Sequence, residues 1–338
     1  MLTISPLYFI VLRLKVTELF HTEIIINQIL ILGVIALVGV IAARAGVINE
    51  TLKEGIASLV FNITLPLLIL SSFTALDITI ELLRNGFMVI IMTYFSMFFL
   101  LFMGKISARL LKMEKETSSI HVLHTAFGNI VFLGFPLMNT LFPGGQGLFY
   151  ATLFYLVSNS VMWTIGVNIL NHSSELGVRQ KVKNLLNPNT VAFVIGILLM
   201  LTGINLPEVI DLPLSGLGQT TNYLSMLYIG GMLAQTDIKG VFGRKQVYLL
   251  SINKMIISPI LLILLFRFTL NILSLNIDPT AFAVVILQAG TPCMAIIVVL
   301  ARKFKADDAH AMENVFFTTL ISLFTLPFLY WMIESITF

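Results

Sequence analysis

Two short segments combine residue types that rarely stand together in apolar sequence. The first, AFGNIVFLGFPLMN from Ala126 to Asn139, sets Gly128, Asn129, Gly134 and Pro136 among large apolar side chains. The second, LQAGTPCMAII from Leu287 to Ile297, holds Gly290, Thr291 and Pro292 in a similar setting. Glycine and proline interrupt a helix, and a helix that restarts presents unpaired N–H groups and a partial positive charge. Such an end suits an anionic group. The Asn129 amide stands beside one interruption and the Thr291 hydroxyl beside the other. The competing reading makes these residues kinks or close-packing points, which are common in membrane helices. Taken as a pair, the segments favour a binding site that contains Gly128, Asn129, Thr291 and Pro292.

Lys254 is the only basic residue well inside an apolar run. Two readings stand: a functional charge at depth, or a side chain that snorkels to the nearby basic loop. The amides and hydroxyls of Asn62, Ser158, Asn159, Asn222 and Asn314 either line a cavity or bond between helices, the second being the commoner role. No Asp or Glu lies centrally in an apolar run, and Glu313 stands only at the edge of one. Exchange of ions or protons on a carboxylate at depth therefore has no candidate. HExxH, GxxxxGK[ST] and GxSxG motifs are absent, and His121 and His124, placed at a helix entrance, lack partners for metal or triad chemistry. An enzyme is disfavoured on these grounds, and neither cofactor nor metal is expected.

The elements that must position these residues follow from composition. Of 338 residues, 57% are hydrophobic and 11% charged, and the mean hydropathy is +0.97. A soluble domain carries about a quarter charged residues, so lipid must cover much of this surface, and nothing points to nucleic acid. The single cysteine, Cys293, excludes an internal disulfide. A span needs about 20 mostly apolar residues, and ten such runs are found: 24–43, 55–73, 84–104, 119–142, 147–170, 189–204, 214–234, 247–266, 280–301 and 313–333. Residues 1–22 lack the charge order and cleavage site of a signal peptide and read as an interfacial lead-in.

Ten spans place the basic residues on alternating sides. One set of loops holds fifteen Lys/Arg, from Arg44 and Lys53 through Arg179, Lys181 and Lys183 to Arg302, Lys303 and Lys305. The other holds only Arg84 and Arg267, with Arg13 and Lys15 in the lead-in. Short basic loops stay cytoplasmic, so both termini are expected outside a plasma (inner) membrane. Residues 23–170 then form one five-helix repeat, 171–188 a cytoplasmic connector and 189–338 a second repeat of opposite orientation. Interruptions at corresponding places in inverted halves mark the binding site of many secondary transporters. The expected fold is thus an all-α membrane protein whose fourth and ninth helices are broken.

FNITLPLLILSSF (Phe61 to Phe73), GNIVFLGFP (Gly128 to Pro136), LNPNTVAFVIGILL (Leu186 to Leu199) and QAGTPCMAIIVVLARKF (Gln288 to Phe304) together resemble the auxin efflux carrier family, in its prokaryotic branch. The resemblance runs from Ile24 to Phe338. It implies two inverted five-helix repeats with helices 4 and 9 unwound and crossing, as in bile-acid symporters and sodium/proton antiporters. It also implies a scaffold and a transport domain that move against each other, the scaffold being the expected face for a homodimer. Plant members mark the first crossover with Pro-Asn and the second with Pro. Gly128-Asn129 and Pro292 stand there in this sequence, so the resemblance makes Asn129 the carboxylate ligand, with Cys293 and Asn159 nearby. The plant Asp–Lys support pair is matched by Asp77 alone, with Glu81 in place of the lysine. These two departures, Gly128 for the first proline and Glu81 for the lysine, point away from auxin itself, and the prokaryotic branch implies small carboxylates such as malate or malonate, an auxin-like carboxylate being the other substrate class.

The expected function is efflux of small organic anions by alternating access, driven by the membrane potential or by a coupled ion. A sodium-coupled importer of the bile-acid type is one alternative. A receptor or channel without a carrier cycle is another.

Overall fold

The computed structural model describes residues 27, 30–74, 76–77, 79–170, 185–204, 206–234 and 243–337. The lead-in 1–22 and connector residues 171–184, with Arg179, Lys181 and Lys183, lie outside the described residues.

Twelve helices account for nearly all of the described chain, and there is no strand among the described residues. They are α1 Leu30–Arg44, α2 Glu50–Thr74, α3 Ile80–Leu110, α4 Lys115–Ala126, α5 Ile130–Leu141 and α6 Gln146–Leu170. Then follow α7 Pro188–Thr202, α8 Glu208–Ala234, α9 Lys245–Ile272, α10 Pro279–Ala289, α11 Ile296–Phe304 and α12 Asp308–Thr337. Five of these, α2, α3, α6, α9 and α12, are long and apolar enough to cross a membrane. Their outer faces carry large exposed apolar side chains, among them Phe87, Phe98, Phe102, Leu264, Phe268, Phe324 and Trp331. An apolar surface this extensive fits a membrane environment.

Local chemistry sets the helix ends. The Asn49, Thr79 and Asp278 side chains accept from Leu52, Leu82 and Ala281 N–H at 2.8, 3.0 and 3.0 Å, satisfying donors that a first turn leaves free. Asn187 does the same for α7, with Pro188 just inside its start. Wide π turns interrupt α2 at Val60–Thr64, α5 at Ile130–Gly134 and α9 at Asn253–Ile257. A proline follows each of these, Pro66, Pro136 and Pro259, whereas a fourth π turn, in α6 at Met162–Gly166, has none after it. Proline lacks an N–H and its ring crowds the carbonyl four residues back, and the wider turn makes room for it.

The helices pack in two groups. The C-terminal half of α2 lies against α7 and α8, while α3 lies against α4, α6, α9 and α10. The last helix, α12, contacts α4, α9, α10 and α11. The half-length helices α4, α5, α10 and α11 thus end inside a cage of full-length ones, where the interruptions between them meet.

Candidate functional site

Two breaks pair with each other by backbone. After α4 ends at Ala126, Phe127 is extended, and Gly128 faces Cys293 in an isolated antiparallel bridge. Asn129 N–H donates to the Pro292 carbonyl at 2.7 Å, and Met294 N–H donates to the Phe127 carbonyl at 3.2 Å. Non-helical backbone at membrane depth is tolerated only where protein or water satisfies it, and here each break satisfies the other.

That approach fixes the residue types. A Cβ on Gly128 would collide with the Thr291 hydroxyl oxygen and stand 3.3 Å from the Gln288 carbonyl. Thr291 is held in this place by donating its hydroxyl to the Gln288 carbonyl at 2.7 Å. Gly128 and Thr291 are therefore a matched pair of small and larger residues. A Cβ on Gly134 would strike the Gln288 side-chain amide, so the first turn of α5 and the last turn of α10 also touch.

Asn129 occupies the N-cap of α5. Its Oδ1 accepts from Phe132 N–H at 3.3 Å, and its backbone carbonyl accepts from Leu133 and Gly134 N–H. Its Nδ2 is buried without a hydrogen-bond partner among the described residues. Both side-chain polar atoms of Gln288 are in the same state. Buried polar atoms are nearly always paired, so these donors and acceptors beside the bridged backbone stand ready for a polar group. The positive ends of α5 and α11 add to this on the two strands of the bridge.

The C-terminal end of α4, at the break itself, is covered by cationic and thiol groups. Lys254, fully buried, donates from Nζ to the Thr125 carbonyl at 3.3 Å. Cys293 Sγ lies 3.7 Å from the His124 carbonyl, and Cys293 N–H donates to Thr318 Oγ1 of α12 at 3.0 Å. The carbonyls that α4 leaves free at its break are thus partly satisfied, and a positive group sits at the negative end of its dipole. The snorkelling reading of Lys254 does not describe this geometry: the amine turns inward onto the break.

Gly128, Asn129, Thr291, Pro292 and Cys293 come together, with Lys254 behind them. Asn159 is buried on α6 with its Oδ1 accepting from Trp163 Nε1 at 3.0 Å, a bond within its own helix. Asn62 is exposed and donates back to the Ser58 carbonyl at 2.9 Å. Asp77 is exposed on the α2–α3 connection, where it lines a cavity of about 280 Å³ with Glu81, Asn85, Gln146, Tyr150 and Asp278.

The histidines are a correction. His121 and His124 do not stand at an open helix entrance: both are fully buried, His121 at 2.7 Å from Ser107 Oγ and His124 at 3.4 Å from Asn314 Nδ2. α4 packs against α3 and α12, which bury it from Ser119 to Ala126, and the local sequence does not reveal this. Gln288 was not singled out from the sequence, although an amide inside an apolar run is the signal that would have found it. Thr318 was masked by its place among residues that simply bond to their own helix.

A family model described as a membrane transport protein matches residues 24–330. The auxin efflux carrier component 8 of Arabidopsis thaliana is 28% identical over 156 residues, which cover 45% of this chain and 41% of the relative. The matched stretch thus spans less than half of that plant protein.

Proposed function

The chain belongs to the auxin efflux carrier family of membrane transport proteins, and on that premise we propose that it carries small organic carboxylates by alternating access. The observation that carries the reading is the unpartnered Asn129 Nδ2, held beside two mutually bonded breaks. An amide donor and two helix N-termini suit a carboxylate and offer no nucleophile or acid–base pair. Asn129 and Gln288 bind the substrate, Gly128, Thr291 and Pro292 hold the crossing open, and Cys293 and Lys254 support its α4 side. Asn159 contributes to the wall of the site. Asp77, lining the cavity on the α2–α3 connection, tunes transport.

Reading α4 with α5 and α10 with α11 as one broken crossing each brings twelve helices to ten crossings, five in each inverted half. The packing of α2 with α7 and α8, apart from the group around α3, α4, α9 and α12, supports a scaffold and a moving transport domain. The Lys/Arg asymmetry supports termini on the outside of the plasma membrane. A negative interior favours anion exit by about 2.3 kcal/mol per charge per 100 mV, so export is the proposed direction.

The test is a panel of radiolabelled malonate, malate, monocarboxylates and indole acetate in proteoliposomes, with potential, sodium and proton gradients set separately. Saturable, potential-dependent movement of one carboxylate class is expected. Strict dependence on sodium would replace the reading with that of a sodium-coupled importer, and movement that never saturates would replace it with a channel.

A further inference from the structure

Behind the crossing lies a set of buried titratable groups that the carboxylate site does not use. His121, His124 and His310 are each fully buried. Nevertheless His121 Nδ1, His124 Nε2 and both ring nitrogens of His310 have no hydrogen-bond partner among the described residues. A neutral imidazole carries one donor and one acceptor, so four unsatisfied positions in three rings are a concentration that packing alone does not explain. Asn314 Oδ1 is also unpartnered.

The rings form a file. His121 and His124 are three residues apart on one face of α4, and His310, Glu313 and Asn314 share a face of α12. Asn314 Nδ2 lies 3.4 Å from His124 Nδ1, and Thr117 of α4 donates to Asp307 at the start of α12 at 2.9 Å, so the two helices run side by side past His121 and His310. On the basic-loop side, His310 Nδ1 lies 3.9 Å from Glu313 Oε2, and Glu313 and Asp307 stand 3.3 and 3.4 Å from Arg244. Asp307 also accepts from Thr117 at 2.9 Å and from His310 N–H at 2.9 Å. On the inner side, His124 faces Lys254, whose amine bonds the very next carbonyl, that of Thr125. The charged and titratable groups around the file are therefore Asp307, Glu313 and Arg244 at its mouth, and Lys254 with the Cys293 thiol at its inner end. No three of the His, Cys, Asp and Glu side chains among the described residues stand close enough to share a metal ion.

We propose that His310, His121 and His124 form a proton-binding site, loaded past Glu313 and Asp307, whose occupancy is coupled to that of the carboxylate site at Asn129. Histidine is the side chain that exchanges protons near neutral pH, and its unpaired nitrogens give the proton somewhere to reside. A proton on these rings is disfavoured first by their burial and then, at His124, by the neighbouring His310 and Lys254, and an arriving carboxylate offsets part of that cost. Coupling between two ligands is reciprocal, so the anion draws in a proton and the proton tightens the anion. The inference rests on the carboxylate reading above.

The experiment is calorimetric titration of malonate into the full chain in lipid nanodiscs, in two buffers of different ionisation enthalpy, near pH 6.5. Uptake approaching one proton per malonate is expected, with affinity falling about tenfold per pH unit across the range where that uptake is seen and levelling off above it. His124→Gln and His310→Gln should bind malonate with little proton uptake and a flattened pH profile. The two sit on different helices, so if one fails to fold the other carries the test. Malonate binding by the parent without proton uptake overturns the proton site and leaves the carboxylate site standing. Unchanged uptake in both variants removes the assignment to these histidines. If neither malonate nor any other small carboxylate binds, the proposed function fails and takes the proton site with it.

Discussion

Asn129 donates its backbone N–H to the Pro292 carbonyl across 2.7 Å, joining two helix interruptions that are 163 positions apart in sequence. The bond commits the backbone of Asn129 to structure and leaves the side-chain Nδ2 uncommitted. Structure and binding are therefore separable at this residue, which makes the account testable by substitution.

Gly128 and Thr291 should behave as a coupled pair. Gly128→Ala places a methyl group against the Thr291 hydroxyl, and overpacking of this kind costs about 1–3 kcal/mol. Thr291→Ala vacates that volume, so the double variant should recover most of the loss. Thermal unfolding of the four purified proteins gives the cycle, and additive losses would show that the two residues do not meet.

Lys254→Met should leave expression and monodispersity intact while lowering transport roughly tenfold, about 1.4 kcal/mol. The substitution keeps the volume and removes the cation from the Thr125 carbonyl. Unimpaired transport would return Lys254 to a packing role.

Asp307, on the α11–α12 connection, supplies a pH dependence of stability. Burial would raise its carboxyl, but the His310 N–H, the Thr117 hydroxyl and Arg244 together hold it below its ordinary value of 3.8. A depressed carboxyl contributes stability that is complete above the unfolded value and disappears as pH falls through the folded one. Asp307→Asn should thus lower Tm near pH 7, with the gap closing below about pH 4. A gap that persists or widens in acid would contradict this sign.

Much of this was legible from particular residues. The interruptions at Gly128-Asn129 and Thr291-Pro292 announced themselves because glycine and proline have few uses inside an apolar run, and both breaks fall where they were expected. Of the ten apolar runs, five fall on helices long and apolar enough to cross a membrane, and the others fall on shorter helices or helices not among those five. The backbone bridge between Gly128 and Cys293 was out of reach, since register across 165 positions leaves no local trace. His124 illustrates the other limit. A histidine beside a break looks like an exposed helix end unless the helix packed over it is known. Asn62 shows the converse: its amide is used up within one turn by the Ser58 carbonyl, a choice that composition does not distinguish from cavity lining.

The most direct measurement is malonate affinity of the purified parent, Asn129→Ala and Asn129→Asp. Alanine removes both the cap on Phe132 and the free donor, whereas aspartate keeps an oxygen for the cap and exchanges the donor for a second oxygen. A hydrogen bond to a charged group contributes about 1.5–3 kcal/mol, so both variants should bind malonate at least about tenfold more weakly. Asn129→Asp should do so while keeping the thermal stability of the parent without ligand. Parent-like malonate binding by Asn129→Asp would contradict the placement of the substrate at the crossing.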